Sequence, residues 1–288
     1  MLFQILVAMR PRQWIKNLFV LPALIFSKHI FDWAYVSHSI GGGLCFCLLS
    51  SAVYLLNDVF DLEQDRIHPE KSKRPIAAGR VPVWVALASA GGLFALGGLG
   101  SFMLRFEFGY VALIYALINL AYSSKLKHVV LIDVLIVAAG FLLRALGGAV
   151  VIDVAISSWF ILCSFMLALF LTVVKRRQEL IALQGTAGVT RAILEEYSIP
   201  FLDQVISVLT SATLVCYALY AMGVGEGTGR QMQWTIPFVL YGVLRYLYLV
   251  YRKGDGENPT AVIWRDRPLQ FTMVLWLIAS GLGLYTSP

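Results

Sequence analysis

Long apolar runs separated by short polar breaks dominate the chain, and the runs show neither the period of two of a half-buried strand nor a narrow amphipathic stripe. Nine of them approach the roughly 20 apolar residues that a helix needs to cross a bilayer: residues 14–31, 38–56, 82–104, 108–124, 130–152, 157–174, 200–222, 234–251 and 268–286. The pattern predicts an all-α polytopic membrane protein with nine transmembrane helices, eight being the alternative count. It excludes an outer-membrane barrel, whose strands would alternate. The first and sixth runs are short, so a tilted or broken helix is expected in either place. Composition fits: 59% of residues are hydrophobic and 14% charged, where a soluble domain carries roughly 25% charged residues. Residues 1–288 read as one integral-membrane domain.

Two polar stretches, residues 57–81 and 175–199, follow the second and sixth runs. Their separation of four helices hints at two similar halves. The cations fix an orientation, because cytoplasmic loops retain Lys and Arg. With the N-terminus in the cytoplasm, eighteen of the 23 Lys and Arg residues fall on the inside and only Lys28, Arg105 and Arg230 outside. Nine crossings then put the C-terminus on the opposite side of the cell membrane. This asymmetry also accounts for the net charge of +6, so no nucleic-acid partner is implied. The four cysteines lie inside apolar runs, where Cys acts as a small hydrophobe, and no disulfide, zinc or histidine-based pattern emerges. Arg245, near the inner end of its run, reads as snorkelling.

The densest chemistry begins where the second run meets the inner interface, at Asn57-Asp58-Val-Phe-Asp61-Leu-Glu-Gln-Asp65. At 100° per residue, the three aspartates of a continuous helix fall within an arc of about 60°, with Asn57 at its edge. Carboxylates so crowded repel unless a cation joins them, and hard oxygen ligands suit Mg²⁺ together with substrate phosphates. The alternative is a solvated acidic helix end. Downstream, Lys71, Lys73 and Arg74 supply cations within one short loop, and Arg74, followed by the rigid Pro75, is the preferred phosphate ligand because guanidinium binds oxyanions bidentately. Tyr122, Lys125 and Lys127 close the fourth run on the same face, as site residues or as an interfacial anchor. Arg144 lies deep in the fifth run, where an ionised side chain needs a cavity or a partner.

These residues bring a resemblance into view. The NDxxDxxxD pattern at Asn57 to Asp65, the Lys-Arg-Pro-Ile segment at Lys73 to Ile76 and the Tyr-Ser-x-x-Leu-Lys segment at Tyr122 to Lys127 resemble the UbiA-type intramembrane prenyltransferases, over the whole set of runs. The resemblance implies a helical bundle around a central cavity open to the cytoplasmic face, Mg²⁺ on a diphosphate held by Asp58, Asp61 and Asp65, and a lipid tail in a lateral opening. One departure is as informative as the match: the usual second aspartate motif after the sixth run is replaced by Lys175-Arg176-Arg177-Gln178-Glu179. A basic cluster calls for an anion directly, although a plain Lys175–Glu179 pair four residues apart is the other reading. With Arg10-Pro-Arg12-Gln-Trp14-Ile-Lys16-Asn17, this cluster is similar to the decaprenyl-phosphate phosphoribosyltransferase branch.

That likeness implies 5-phosphoribosyl-1-diphosphate as donor and a polyprenyl phosphate as acceptor, in a membrane enzyme compatible with an oligomer. Asp58, Asp61 and Asp65 would serve as catalytic metal ligands with Tyr122 beside them. Lys16, Asn17, Asn57, Lys71, Arg74, Lys125, Lys127, Arg144, Lys175, Arg176, Arg177 and Glu179 would line the substrates. The other chemistry open to this fold is prenyl transfer from a prenyl diphosphate to an aromatic or lipid acceptor.

Overall fold

The computed structural model describes residues 1–183, 192–224, 232–253, 262, 263 and 265–285; Arg191 and Arg230 lie outside these described residues. Regular secondary structure among them is helical throughout. In chain order the helices are α1 (Leu2–Ala8), α2 (Pro22–Phe26), α3 (Trp33–Phe60), α4 (Leu62–Ile67), α5 (Val83–Leu104), α6 (Phe106–Ser124), α7 (Ile132–Val151), α8 (Ser158–Leu183), α9 (Ala192–Glu195), α10 (Ile199–Ala221), α11 (Ile236–Lys253) and α12 (Arg267–Tyr285). Among the described residues eight are long and apolar enough to cross a membrane: α3, α5, α6, α7, α8, α10, α11 and α12. The protein is therefore a multi-pass membrane protein. It forms two compact units, residues 1–136 with 140–155 and residues 137–139 with 156–288.

The first expected span, residues 14–31, is where pattern and structure part. In place of one helix there is a ten-residue 3-10 stretch, Pro11–Val20, followed by the short α2. Proline explains the break, since Pro11 and Pro22 each remove an amide donor and restrict the residue before them. A 3-10 helix rises 2.0 Å per residue, so ten residues still extend about 20 Å. The stretch runs antiparallel to α3, and polar side chains hold it there. Trp14 Nε1 donates to Ser51 Oγ at 3.0 Å, and Asn17 Nδ2 to Cys47 Sγ at 3.2 Å and Ser50 Oγ at 3.3 Å. Irregular backbone at membrane depth is tolerated when it is covered by protein.

The rest of the first unit packs around α3. With 28 residues it is about 42 Å long, more than the roughly 30 Å of hydrocarbon, a length that calls for tilt or for an end in the headgroup layer. Asp32 caps the start by accepting from the amide of Ala34 at 3.0 Å. Helix α7 approaches through glycine. A Cβ on Gly148 would lie 2.1 Å from the carbonyl oxygen of Val20, and one on Gly147 would lie 2.7 Å from the Phe46 ring. Phe46 in turn meets Phe108 and Tyr115 edge-on, with centroids 5.6 and 5.2 Å away. Small residues allow such close backbone approach in membranes.

In the second unit α8 packs on α10, and α11 lies against both α10 and α12. Ser198 caps α10, accepting from the amide of Phe201 at 3.3 Å. A buried chain of hydrogen bonds runs from Trp276 Nε1 to Tyr217 Oη (2.7 Å) and between Tyr217 Oη and Thr235 Oγ1 (2.6 Å). Arg245 does not simply snorkel: both ends of its guanidinium donate to Asp266, at 3.2 and 2.8 Å. Asp266 also accepts from the Leu269 amide at 3.0 Å, which fixes the start of α12. This hydrogen-bonded pairing holds the Asp266 carboxyl below its ordinary range.

Candidate active site

The acidic motif does not lie on one continuous helix. Helix α3 ends at Phe60, Asp61 takes φ −92° and ψ 6°, and α4 restarts at Leu62. That corner revises the expected triad, because a projection at 100° per residue holds only along an unbroken helix. Asp58 and Asp65, both buried, turn toward one cation: Arg74 Nη1 lies 3.1 Å from Asp58 Oδ1 and 2.5 Å from Asp65 Oδ2. Asp61 turns aside, accepting from Asn57 Nδ2 at 3.0 Å and pairing with Lys127. Among the described residues no group of three His, Cys, Asp or Glu side chains is placed to hold a metal ion.

Arg74 is positioned by the loop behind it. Ile76 and Val81 are buried in a core with Ala52 and Leu55 of α3 and Val85 and Ala86 of α5. Gly79, at φ 70°, turns the backbone between them. The amides of Arg80 and Val81 both bond the Pro75 carbonyl, at 2.9 and 3.1 Å. Upstream, His68 Nδ1 faces the amides of Glu70 and Lys71 at 3.2 and 3.3 Å, where an unprotonated nitrogen accepts. Its partial burial, and next the charge of Lys71, push the imidazole below its usual pKa, favouring that neutral form. Apolar anchors thus place a cation above two carboxylates.

The remaining expected residues divide by place. Lys127 sits in a 3-10 turn after α6, Leu126–His128, and its ammonium ties that turn to Asp61. Tyr122 lies half-buried in the last turn of α6, while Lys125 is exposed. Lys16 and Lys71 are half-buried, one in the 3-10 stretch and one opening the turn Lys71–Lys73. Asn17 and Arg144 lie deeper: Arg144 donates from Nε to Asn17 Oδ1 (2.7 Å), from Nη1 to the Gly140 carbonyl (2.8 Å) and from Nη2 to Tyr115 Oη (2.7 Å). In the second unit, Lys175 and Arg176 both pair with Glu179, at 3.5 and 2.6 Å. The helical-pair reading of Lys175 is thus realised. Arg177 pairs with Asp203 at 2.5 Å and stacks over Tyr251, 4.3 Å from the ring centre.

Arg10 was not among the expected site residues, yet its guanidinium pairs with Asp58 and lies 5.0 Å from the centre of the Tyr54 ring. The signal was the cationic Arg-Pro-Arg start, but only the antiparallel path of the 3-10 stretch carries it to Asp58. The donor chemistry fits a hard divalent cation: two carboxylate oxygens already face one guanidinium nitrogen, and Mg²⁺ binds through one or two carboxylates with phosphates completing its shell. Asp58 and Asp65 would hold it, with Asp61 at the side.

Comparison with known proteins gives the same frame. Residues 17–278 match the UbiA prenyltransferase family. The decaprenyl-phosphate phosphoribosyltransferase of Mycolicibacterium smegmatis is 36% identical over 97% of this chain and 92% of its own length, and that of Corynebacterium glutamicum is 33% identical over 98% and 86%. A UbiA homologue from Archaeoglobus fulgidus, solved bound to DMAPP and Mg²⁺, superposes with a TM-score of 0.75 at 18% identity, covering 99% of this chain and all of that one. Its low identity speaks to the fold alone, but the family match spans most of the chain and includes the whole acidic corner: this protein belongs to the UbiA prenyltransferase family.

Proposed function

We propose that the protein transfers 5-phosphoribose from 5-phosphoribosyl-1-diphosphate to a polyprenyl phosphate of decaprenyl type, releasing pyrophosphate at the cytoplasmic face of the cell membrane. The N-terminus is then cytoplasmic. The single observation that carries this reading is the pairing of two buried carboxylates with guanidiniums at the α3–α4 corner, in a chain a third identical to named phosphoribosyltransferases over nearly its full length. Acid for a metal and base for phosphate is what a diphosphate donor requires.

In the reaction the bond from the anomeric carbon to the diphosphate oxygen breaks, the electron pair leaves with pyrophosphate, and a lipid phosphate oxygen bonds to that carbon. A phosphate monoester carries about −1.5 to −2 charges near neutrality, so no general base is needed. Bound Mg²⁺ supplies positive charge for the leaving group. Asp58 and Asp65 would hold the metal, Arg74 and Lys71 would take charge growing on the pyrophosphate, and Lys127 would keep Asp61 and Asn57 in place. Lys16 meets the 5-phosphate and Tyr122 borders the donor. Lys175 and Arg176 exchange Glu179 for the lipid phosphate, while Arg177 keeps Asp203. Incubating the purified protein with the donor, Mg²⁺ and polyprenyl phosphates of graded length should yield a phosphoribosylated lipid by mass spectrometry. A Mg²⁺-dependent product obtained only from a prenyl diphosphate would assign the other family chemistry.

A further inference from the structure

Arg10 occupies an unusual position in the acidic site. Its Nη2 pairs with Asp58 Oδ1, the same oxygen that Arg74 Nη1 reaches at 3.1 Å. Side-chain exposure orders the three groups: 28% for Arg10 and 25% for Arg74, against 2% for Asp58. The guanidiniums therefore stand between the carboxylate and solvent. A divalent ion reaching Asp58 must displace them, because a metal at 2.0–2.1 Å needs the same oxygen lone pairs. A diphosphate, by contrast, meets the guanidiniums first and offers them new acceptors. While paired with Asp58, Arg10 also lies over the Tyr54 ring, 5.0 Å from its centre, so an aromatic face flanks the guanidinium on that side. Its backbone is left-handed, at φ 54° and ψ 60°, a conformation that favours glycine, at the junction between α1 and the 3-10 stretch.

We propose that Arg10 acts with Arg74 as an exchangeable counter-ion: it neutralises Asp58 until a metal-complexed diphosphate arrives, then yields the carboxylate to the metal and takes a phosphate oxygen. This deepens the diphosphate-donor reading and rests on it. Metal alone competes with the arginines, whereas metal with diphosphate relieves that competition, so the two ligands bind with positive coupling.

Mn²⁺, whose free form is counted by electron paramagnetic resonance, serves as the metal probe for the purified full chain, with inorganic pyrophosphate as the diphosphate. Two variants are compared with the parent, Arg10→Gln and Arg10→Gly, the second chosen because glycine suits the left-handed backbone and protects the fold. Without pyrophosphate both should bind Mn²⁺ about tenfold tighter, since a charge-assisted competitor is gone. Pyrophosphate should tighten Mn²⁺ binding about tenfold in the parent and about threefold or less in the variants. Mn²⁺ affinity unchanged or weakened in both variants, or coupling equal to the parent's, would overturn the proposal. The titration uses neither ribose nor lipid. Intact coupling without a phosphoribosyl lipid would therefore count against the substrate assignment alone, and product formation without coupling against the role of Arg10 alone.

Discussion

Arg74 and Arg144 both carry a charge into the first unit, but Arg74 meets carboxylates on Asp58 and Asp65, whereas Arg144 meets the neutral oxygens of Asn17, Gly140 and Tyr115. Among the described residues Arg144 forms no salt bridge, although it is only 6% exposed. Guanidinium stays protonated even when buried, so the two sites solve the same desolvation problem by opposite means. At the α3–α4 corner, buried carboxylates balance the charge of a guanidinium that is itself a quarter exposed. Deep in α7 the charge rests on fixed dipoles and on the Tyr115 and Phe141 rings, and those bonds tie the 3-10 stretch, α6 and α7 together. One cation is balanced by charge close to solvent, the other by dipoles in the interior.

The sharpest way to break that contrast is at the corner. Asp58→Ala or Asp65→Ala should lower phosphoribosyl transfer by about a thousandfold or more, equivalent to about 4 kcal/mol of barrier. Thermal unfolding should change little, since the partly exposed arginines can resolvate; retained turnover would remove the corner from the mechanism. Next in size is Gly148→Ala, whose new methyl would press on the Val20 carbonyl. A loss of about 3–4 kcal/mol is expected, read by thermal unfolding in detergent, against almost none for Gly98→Ala, where a Cβ meets nothing within 4 Å.

Arg144→Ala sharpens the comparison directly. It should cost about 2–3 kcal/mol of stability by orphaning three buried oxygens while leaving pyrophosphate affinity within about twofold. A variant that folds normally but loses pyrophosphate binding would make Arg144 a ligand instead. Lys127→Ala frees Asp61 from its pair and should slow transfer about tenfold, about 1.4 kcal/mol, measured as initial rate at saturating donor.

The smallest effect lies in the second unit. Asp266 has a depressed carboxyl pKa because Arg245 donates hydrogen bonds to it. Its contribution is therefore fully present above the unfolded value of about 3.9 and is lost as pH falls through the lower folded value. Asp266→Asn should cost about 1 kcal/mol at pH 7, with the difference from the parent shrinking below about pH 4. A gap that instead widened in acid would contradict the pairing.

Much of this molecule was legible residue by residue. Eight of the nine apolar runs are helices in the structure, because twenty apolar side chains in a bilayer leave the backbone little choice but to bond to itself. The first run, short and expected to be tilted or broken, is broken: Pro11 and Pro22 and the polar grip of Trp14 and Asn17 on α3 make it a 3-10 stretch followed by the short α2. Asp58, Asp65 and Arg74, expected together from type and spacing, do lie together at the α3–α4 corner. Asp61 instead meets Asn57 and Lys127, because α3 stops at Phe60 and nothing in the neighbouring residues announces that break. Arg10 was passed over because its partner lies 48 residues away.

Local composition and spacing along the chain settled the membrane class, the positions of eight spans and the acidic and basic residue types that gather at the α3–α4 corner. Only the tertiary structure decided which cation faces which carboxylate. That choice follows from a corner at Asp61, a loop anchored by Ile76 and Val81, and an antiparallel stretch that returns Arg10 to Asp58, each fixed by packing between segments distant in sequence. Electrostatic pairing falls off within a few ångströms, so it is set by where the backbone brings charges together and not by their order along the chain.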